Sequence, residues 1–161
     1  MSTKYSDSGI QSLVKEAKEL TNDFHKRIKP KNRTGHKESQ LEIIGKNGNQ
    51  FRLIIRLSNT DPLNFSIILA LIPQDIRQLF RLRRLNGKHQ HTNIIEKNTF
   101  YDFHIHQAIE RYQELESKED WYAEPTTIYT DINSAYGCVF NECNLILPSN
   151  YQLPLFGAFL L

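Results

Sequence analysis

Imidazole transfers protons near neutral pH and, when neutral, is among the commonest ligands of transition metals. Four of the six histidines in this chain fall within residues 79–112, at positions 89, 91, 104 and 106. They form two His-x-His pairs, His89-Gln-His91 and His104-Ile-His106. Side chains alternate across an extended strand, so each pair aims two imidazoles to one side. Arg81, Arg83 and Arg84 lie just upstream and Glu96, Asp102 and Glu110 nearby.

Three chemistries fit such a cluster. One is acid–base cleavage of a phosphodiester, with His91 and His104 or His106 as base and acid and Arg84 holding the oxyanion. It requires no cofactor. The second is a metal site on His89, His91, His104 and His106 with Glu96 or Asp102, suited to zinc, iron or nickel. The third is structural: histidines packed on aromatics and hydrogen-bonded within a core. The segment contains no phosphate-binding glycine loop, no His-Glu-x-x-His and no Gly-x-Ser-x-Gly, which excludes the commonest nucleotide, metalloprotease and serine-hydrolase signatures.

The elements that would position these residues read as strands. Asn86-Gly87 between two strand-like runs predicts a two-residue type I′ hairpin, pairing Arg84 with His89 and Leu82 with His91. That register puts His89, His91 and Asn93 on the face of Phe80, Leu82 and Arg84, and leaves Arg81, Arg83 and Lys88 on a solvated face. Residues 100–106 alternate again, with Tyr101, Phe103 and Ile105 opposite Asp102, His104 and His106.

The run from His91 to Pro125, His-Thr-Asn, then His-Ile-His, then an acidic stretch with Trp121-Tyr-Ala123, resembles a small bacterial or prophage protein family. The resemblance covers about the middle third of the chain. It implies a bacterial or mobile-element origin and marks His91, Asn93, His104 and His106 as shared positions, and it brings no activity with it.

Elsewhere the patterning predicts an α+β domain over all 161 residues: an antiparallel meander of five to six strands covered by amphipathic N- and C-terminal helices. Residues 6–28 carry apolar positions at helical spacing, with Ser8 and Gln11 as a capping box and Pro30 as a stop. Strands are expected at 41–46, 50–58, 65–72 and 77–85, the first two joined through Asn47-Gly48. A short helix is expected after Ala108, an aromatic-packed acidic loop at 116–124, and a last helix from Asp131 to Cys143.

Charge is unevenly distributed. Residues 1–106 hold 18 Lys and Arg against 10 Asp and Glu, whereas residues 107–161 hold 2 against 8. A basic first part suits contact with RNA or DNA through Lys29, Lys31, Arg33, Arg81, Arg83 and Lys88, and equally suits pairing within the molecule. Residues 25–37, with six Lys or Arg and no acid, read as a loop. Two cysteines five apart imply no disulfide, and with no leader or membrane span evident the expected home is the cytoplasm. The apolar residues 153–161 are expected to self-pack or to dock a protein partner.

Three functional expectations follow: a nucleic-acid-directed, histidine-dependent ribonuclease of toxin–antitoxin or mobile-element type; a metal-binding protein; or a non-catalytic interaction module.

Overall fold

The computed structural model describes residues 4–115 and 118–149. The centre of the fold is the run of apolar, β-branched sequence between residues 36 and 86. It forms four long antiparallel strands in chain order: β3 (His36–Ile44), β4 (Gln50–Ser58), β5 (Phe65–Ile72) and β6 (Phe80–Asn86). Phe51, Leu53 and Ile55 of β4 and Ile67, Leu69 and Leu71 of β5 all point into one core. Asn47-Gly48 makes the turn the sequence signals, with Gly48 at φ 89°, a value that glycine reaches without a Cβ penalty.

Shorter strands extend this sheet on both sides. The order is β10-β9-β6-β5-β4-β3-β2, where β2 is Lys31–Asn32, β9 is His104–Gln107 and β10 is Ala123–Pro125. Among the described residues the sheet therefore has seven strands rather than five or six. Two further two-stranded sheets lie outside it: β7 (His91–Asn93) with β8 (Asn98–Phe100), and β1 (Lys18–Glu19) parallel to β11 (Leu145–Ile146).

Among the described residues three α-helices contribute to the core, where two are expected to cover the sheet. α1 (Asp7–Lys15) supplies Ile10 and Val14, α2 (Phe24–Arg27) supplies Phe24, and α3 (Ile132–Glu142) supplies Ala135, Tyr136 and Val139. The long N-terminal helix expected over 6–28 is thus divided. Its N-cap is Ser6, whose hydroxyl accepts from the Gly9 amide at 3.0 Å, not Ser8. It ends where the buried Lys18 ammonium takes up the carbonyls of Leu13, Val14 and Glu16 together with that of Cys143, at 2.7–3.0 Å. One side chain satisfies the orphan carbonyls that terminate α1 and one carbonyl just beyond α3. α3 begins as expected: Asp131 accepts from the Ser134 amide at 2.7 Å in a reciprocal cap.

The expected basic loop at 25–37 is ordered into α2 and the β2–β3 hairpin, with Gly35 at φ 79° in its turn. The short helix after Ala108 is a 3-10 turn, Glu110–Glu114. Cys138 and Cys143 are free thiols. No helix among the described residues is long and apolar enough to cross a membrane. The apolar residues 153–161 lie outside the described residues.

Candidate metal centre

β6 is the strand that anchors the histidines, through a different partner from the one its turn signal implies. It pairs with β9: Arg84 lies opposite His106, and Asn86 opposite His104. The Asn86-Gly87 hairpin does not form, so the expected pairing of Arg84 with His89 and Leu82 with His91 is corrected. Asn86 is a buried strand residue, and Gly87 is required for a different reason. A Cβ there would stand 1.8 Å from the Leu63 carbonyl oxygen, because the Gly87 and Lys88 amides donate to Phe65 and Leu63 at 2.9 Å. The chain then leaves the sheet, and β7–β8 closes through a four-residue turn with Lys97 at φ 60°. The single strand expected at 100–106 is accordingly two, β8 and β9, with Tyr101 exposed between them.

A β-bulge between Leu69 and Ala70 changes the arginine faces. Arg83 pairs with Leu69 but Arg81 with Ala70, which leaves Leu82 as the extra residue. Arg81 and Arg84 consequently both reach Asp120. Arg84 binds the Asp120 carboxylate through Nη2 at 2.6 Å and Nε at 3.1 Å, while Arg81 binds Glu119 at 3.0 Å and Asp120 at 3.4 Å. Arg83 is buried at 6 % exposure and turned toward Gln11 of α1 at 3.4 Å. The expectation that Arg81 and Arg83 share a solvated face is therefore corrected. Lys88 is exposed.

His91, His104 and His106 converge. One ring nitrogen of each lies within 4.8 Å of those of the other two, and all three side chains are buried. The rings of His91 and His104 stack with centroids 5.3 Å apart; His106 lies 4.7 Å from His91 and 5.0 Å from His104, edge to face. His89 is the outer member, 4.7 Å from His104, with its Nδ1 lacking any hydrogen-bond partner.

Each of the three rings has one nitrogen committed to an oxygen. His104 Nδ1 donates to the Asp102 carbonyl at 2.8 Å, and His106 Nδ1 to the Asp120 carbonyl at 2.9 Å. His91 Nε2 donates to Asn93 Oδ1 at 3.0 Å. The orientation of the Asn93 amide is fixed by two bonds to one peptide unit: Oδ1 accepts from the Ala123 amide and Nδ2 donates to the Ala123 carbonyl, both at 2.9 Å. A neutral imidazole carries one proton. The unprotonated nitrogens are therefore His91 Nδ1, His104 Nε2 and His106 Nε2, the last two on adjacent strand positions of one face. Asn86 Nδ2 lies 3.5 Å from His104 Nε2, and the Trp121 carbonyl acts on the His91 ring in addition to Asn93.

Electrostatics hold the rings neutral. Burial pushes His106 down to about 2 and His104 down to about 4, and the Arg84 guanidinium and the neighbouring histidines push the same way. Burial also lowers His91, against a contrary pull from Asn93 and the Trp121 carbonyl. His89 is lowered by burial and by the nearby His91 and Arg84.

A cleft of about 450 Å³ opens beside the cluster, lined by Arg84, Asn86, His89, His91, His106 and Trp121 among others. Trp121 packs on His91 at 5.3 Å and donates its indole N–H to the Thr92 carbonyl at 2.9 Å. Of the acids expected at the rim, Glu96 is engaged by Arg111 and by Tyr112 Oη, and Asp102 contributes only its backbone carbonyl to the cluster. Asp120, which fixes both Arg84 and His106, was not among the expected site residues; its signal was the acidic stretch that follows a basic one. Lys29, Lys31 and Arg33 sit at the far edge of the sheet, on and around β2. No family model, curated protein or solved structure matches the chain.

Proposed function

We propose that this protein binds one transition-metal ion through His91 Nδ1, His104 Nε2 and His106 Nε2, with His89 or a molecule from the cleft at the remaining position. The observation that carries the reading is the convergence of three buried histidines, each offering a ring nitrogen within 4.8 Å of the other two, while one nitrogen of each ring is anchored to an oxygen. That is how metal-binding histidines are oriented and made more basic. Nitrogens about 2.0 Å from a tetrahedral zinc ion stand about 3.3 Å apart. The 4.8 Å limit on the cluster therefore calls for a closure of about 1.5 Å at most, within reach of small rotations about χ1 and χ2. Three neutral nitrogens and an accessible fourth position suit zinc, and suit iron(II) or nickel(II) next. With the ion bound, the site supplies Lewis-acid chemistry to whatever enters the cleft. The chain's own contribution is to orient the three rings through Asn93, Asp102 and Asp120 and to exclude water from their inner faces.

A second reading uses the same cleft for acid–base cleavage of nucleic acid by His91 with His104 or His106, on a protein of bacterial or prophage origin. Burial keeps these rings neutral but weakens them as bases, and at neutral pH it leaves no imidazolium to act as the acid. Arg84, the expected phosphate holder, is already occupied by Asp120. The metal reading is therefore preferred.

The deciding measurement is elemental mass spectrometry of the purified protein, followed by calorimetric titration of the chelator-treated protein with zinc, iron(II) and nickel(II). One ion per chain, lost in His104→Ala, is the expected result. No retained ion and no binding heat for any of the three would overturn the proposal.

A further inference from the structure

A second cleft, of about 260 Å³, lies at the opposite edge of the sheet and is lined by Arg27, Lys29, Lys31, Arg33, Glu38, Ser39 and Gln40. Five strand-to-strand steps separate β9 from β2, about 24 Å at the usual spacing, so this cleft is independent of the histidines. Its charge is poorly compensated from within. Arg27 is paired with Asp23 at 3.1 Å, and the Glu38 carboxylate is taken by Arg56 at 2.7 Å and Gln40 at 3.2 Å. Lys29, Lys31 and Arg33 make no ion pair among the described residues. At the same cleft Ser39, only 7 % exposed, has a hydroxyl with no hydrogen-bond partner. A buried hydroxyl left unsatisfied costs free energy, and three unopposed cations repel one another; a single acidic oxygen ligand relieves both costs.

We propose that this cleft binds the phosphodiester backbone of a nucleic acid. Lys29, Lys31 and Arg33 neutralise successive phosphates, and the Ser39 hydroxyl donates to a phosphate oxygen. The cations are presented by a short edge strand and its flanking turns, so they line an open path instead of closing over one small anion. The excess of positive charge through residue 106 extends the attraction beyond the cleft. With no aromatic side chain in the lining, the contact is to backbone and not to bases.

Fluorescence anisotropy of a labelled single-stranded oligonucleotide, measured across a salt series, tests this. Four proteins are compared: the parent, the triple variant Lys29→Ala/Lys31→Ala/Arg33→Ala, Ser39→Ala, and the charge-matched control Lys15→Ala/Lys46→Ala/Lys97→Ala. The expected result is a loss of at least about tenfold in affinity for the triple variant and a fall of about 2 in the slope of log K against log salt, since each phosphate contact on a single strand contributes about 0.7. Ser39→Ala is expected to weaken binding without changing that slope. Equal loss in the control set would overturn the proposal by showing only net charge at work. So would an unaltered affinity in the triple variant, or inorganic polyphosphate competing as well as unlabelled oligonucleotide at equal phosphate concentration.

Discussion

Replacing Asn93 by alanine tests whether the histidine cluster is built as the hydrogen bonds indicate. Asn93 is 1 % exposed and makes four bonds through its amide: from the Ala123 N–H, to the Ala123 carbonyl, from His91 Nε2 and to Asn98 Oδ1. Removing the amide leaves the buried N–H and C=O of Ala123 unpaired, and each such orphan costs about 1–3 kcal/mol. The net loss should be about 3–5 kcal/mol, a large part of the 5–15 kcal/mol typical of a domain. Urea unfolding of the metal-free protein measures it directly. Thr92→Ala, on the exposed side of the same three-residue strand, should stay within about 0.5 kcal/mol. Losing the oxygen that anchors His91 should also weaken zinc binding by about 10–100-fold in whatever fraction remains folded. If Asn93→Ala unfolds within 1 kcal/mol of the parent and binds zinc equally well, the argument about ring orientation is wrong.

Other consequences are open to the same measurements. In the metal-free protein His104 and His106 are neutral when folded, whereas the unfolded chain takes up protons on both below about pH 6.5. Stability should therefore be full above that pH and fall as the pH drops toward 4, by about 1.4 kcal/mol per pH unit for each ring. An unchanged urea midpoint between pH 7 and pH 5 would contradict this. Gly87→Ala forces a Cβ to within 1.8 Å of the Leu63 carbonyl oxygen and should cost about 2–4 kcal/mol through strain and lost backbone bonds. A melting temperature equal to the parent's would show that the close approach is not needed. Lys18→Met strips four carbonyls of their donor at the ends of α1 and α3 and should cost at least about 3 kcal/mol. A loss under 1 kcal/mol by urea unfolding would argue against Lys18 as their terminator.

What the sequence determined by itself was whatever is decided by neighbours in the chain. The alternating apolar residues of β4, the unbroken apolar run of β5, the Asn47-Gly48 turn and the Asp131 cap depend on residues a few positions apart, and all formed as expected. So did the alternation that puts His104 and His106 on one face, because a His-x-His pair needs only an extended backbone. The α+β class followed from these elements together.

Tertiary structure decided the rest. Asn86-Gly87 has the composition of a hairpin turn, yet its glycine serves a close pass by Leu63, and nothing local distinguishes the two uses. The bulge opposite Leu69 and Ala70 moved Arg81 onto the side of Arg84 and buried Arg83, reversing an assignment made from strict alternation. α1 stopped at Lys15 although the apolar pattern continued, because Lys18 found a carbonyl partner 125 residues away. The candidate centre has the same origin. His91 reaches His104 and His106 only because β9, not β7, pairs with β6, and the rings are oriented by Ala123 through Asn93 and by Asp120. Those partners stand 14 to 30 residues from the groups they fix, and the hydrogen bonds that select them exist only once the sheet has closed.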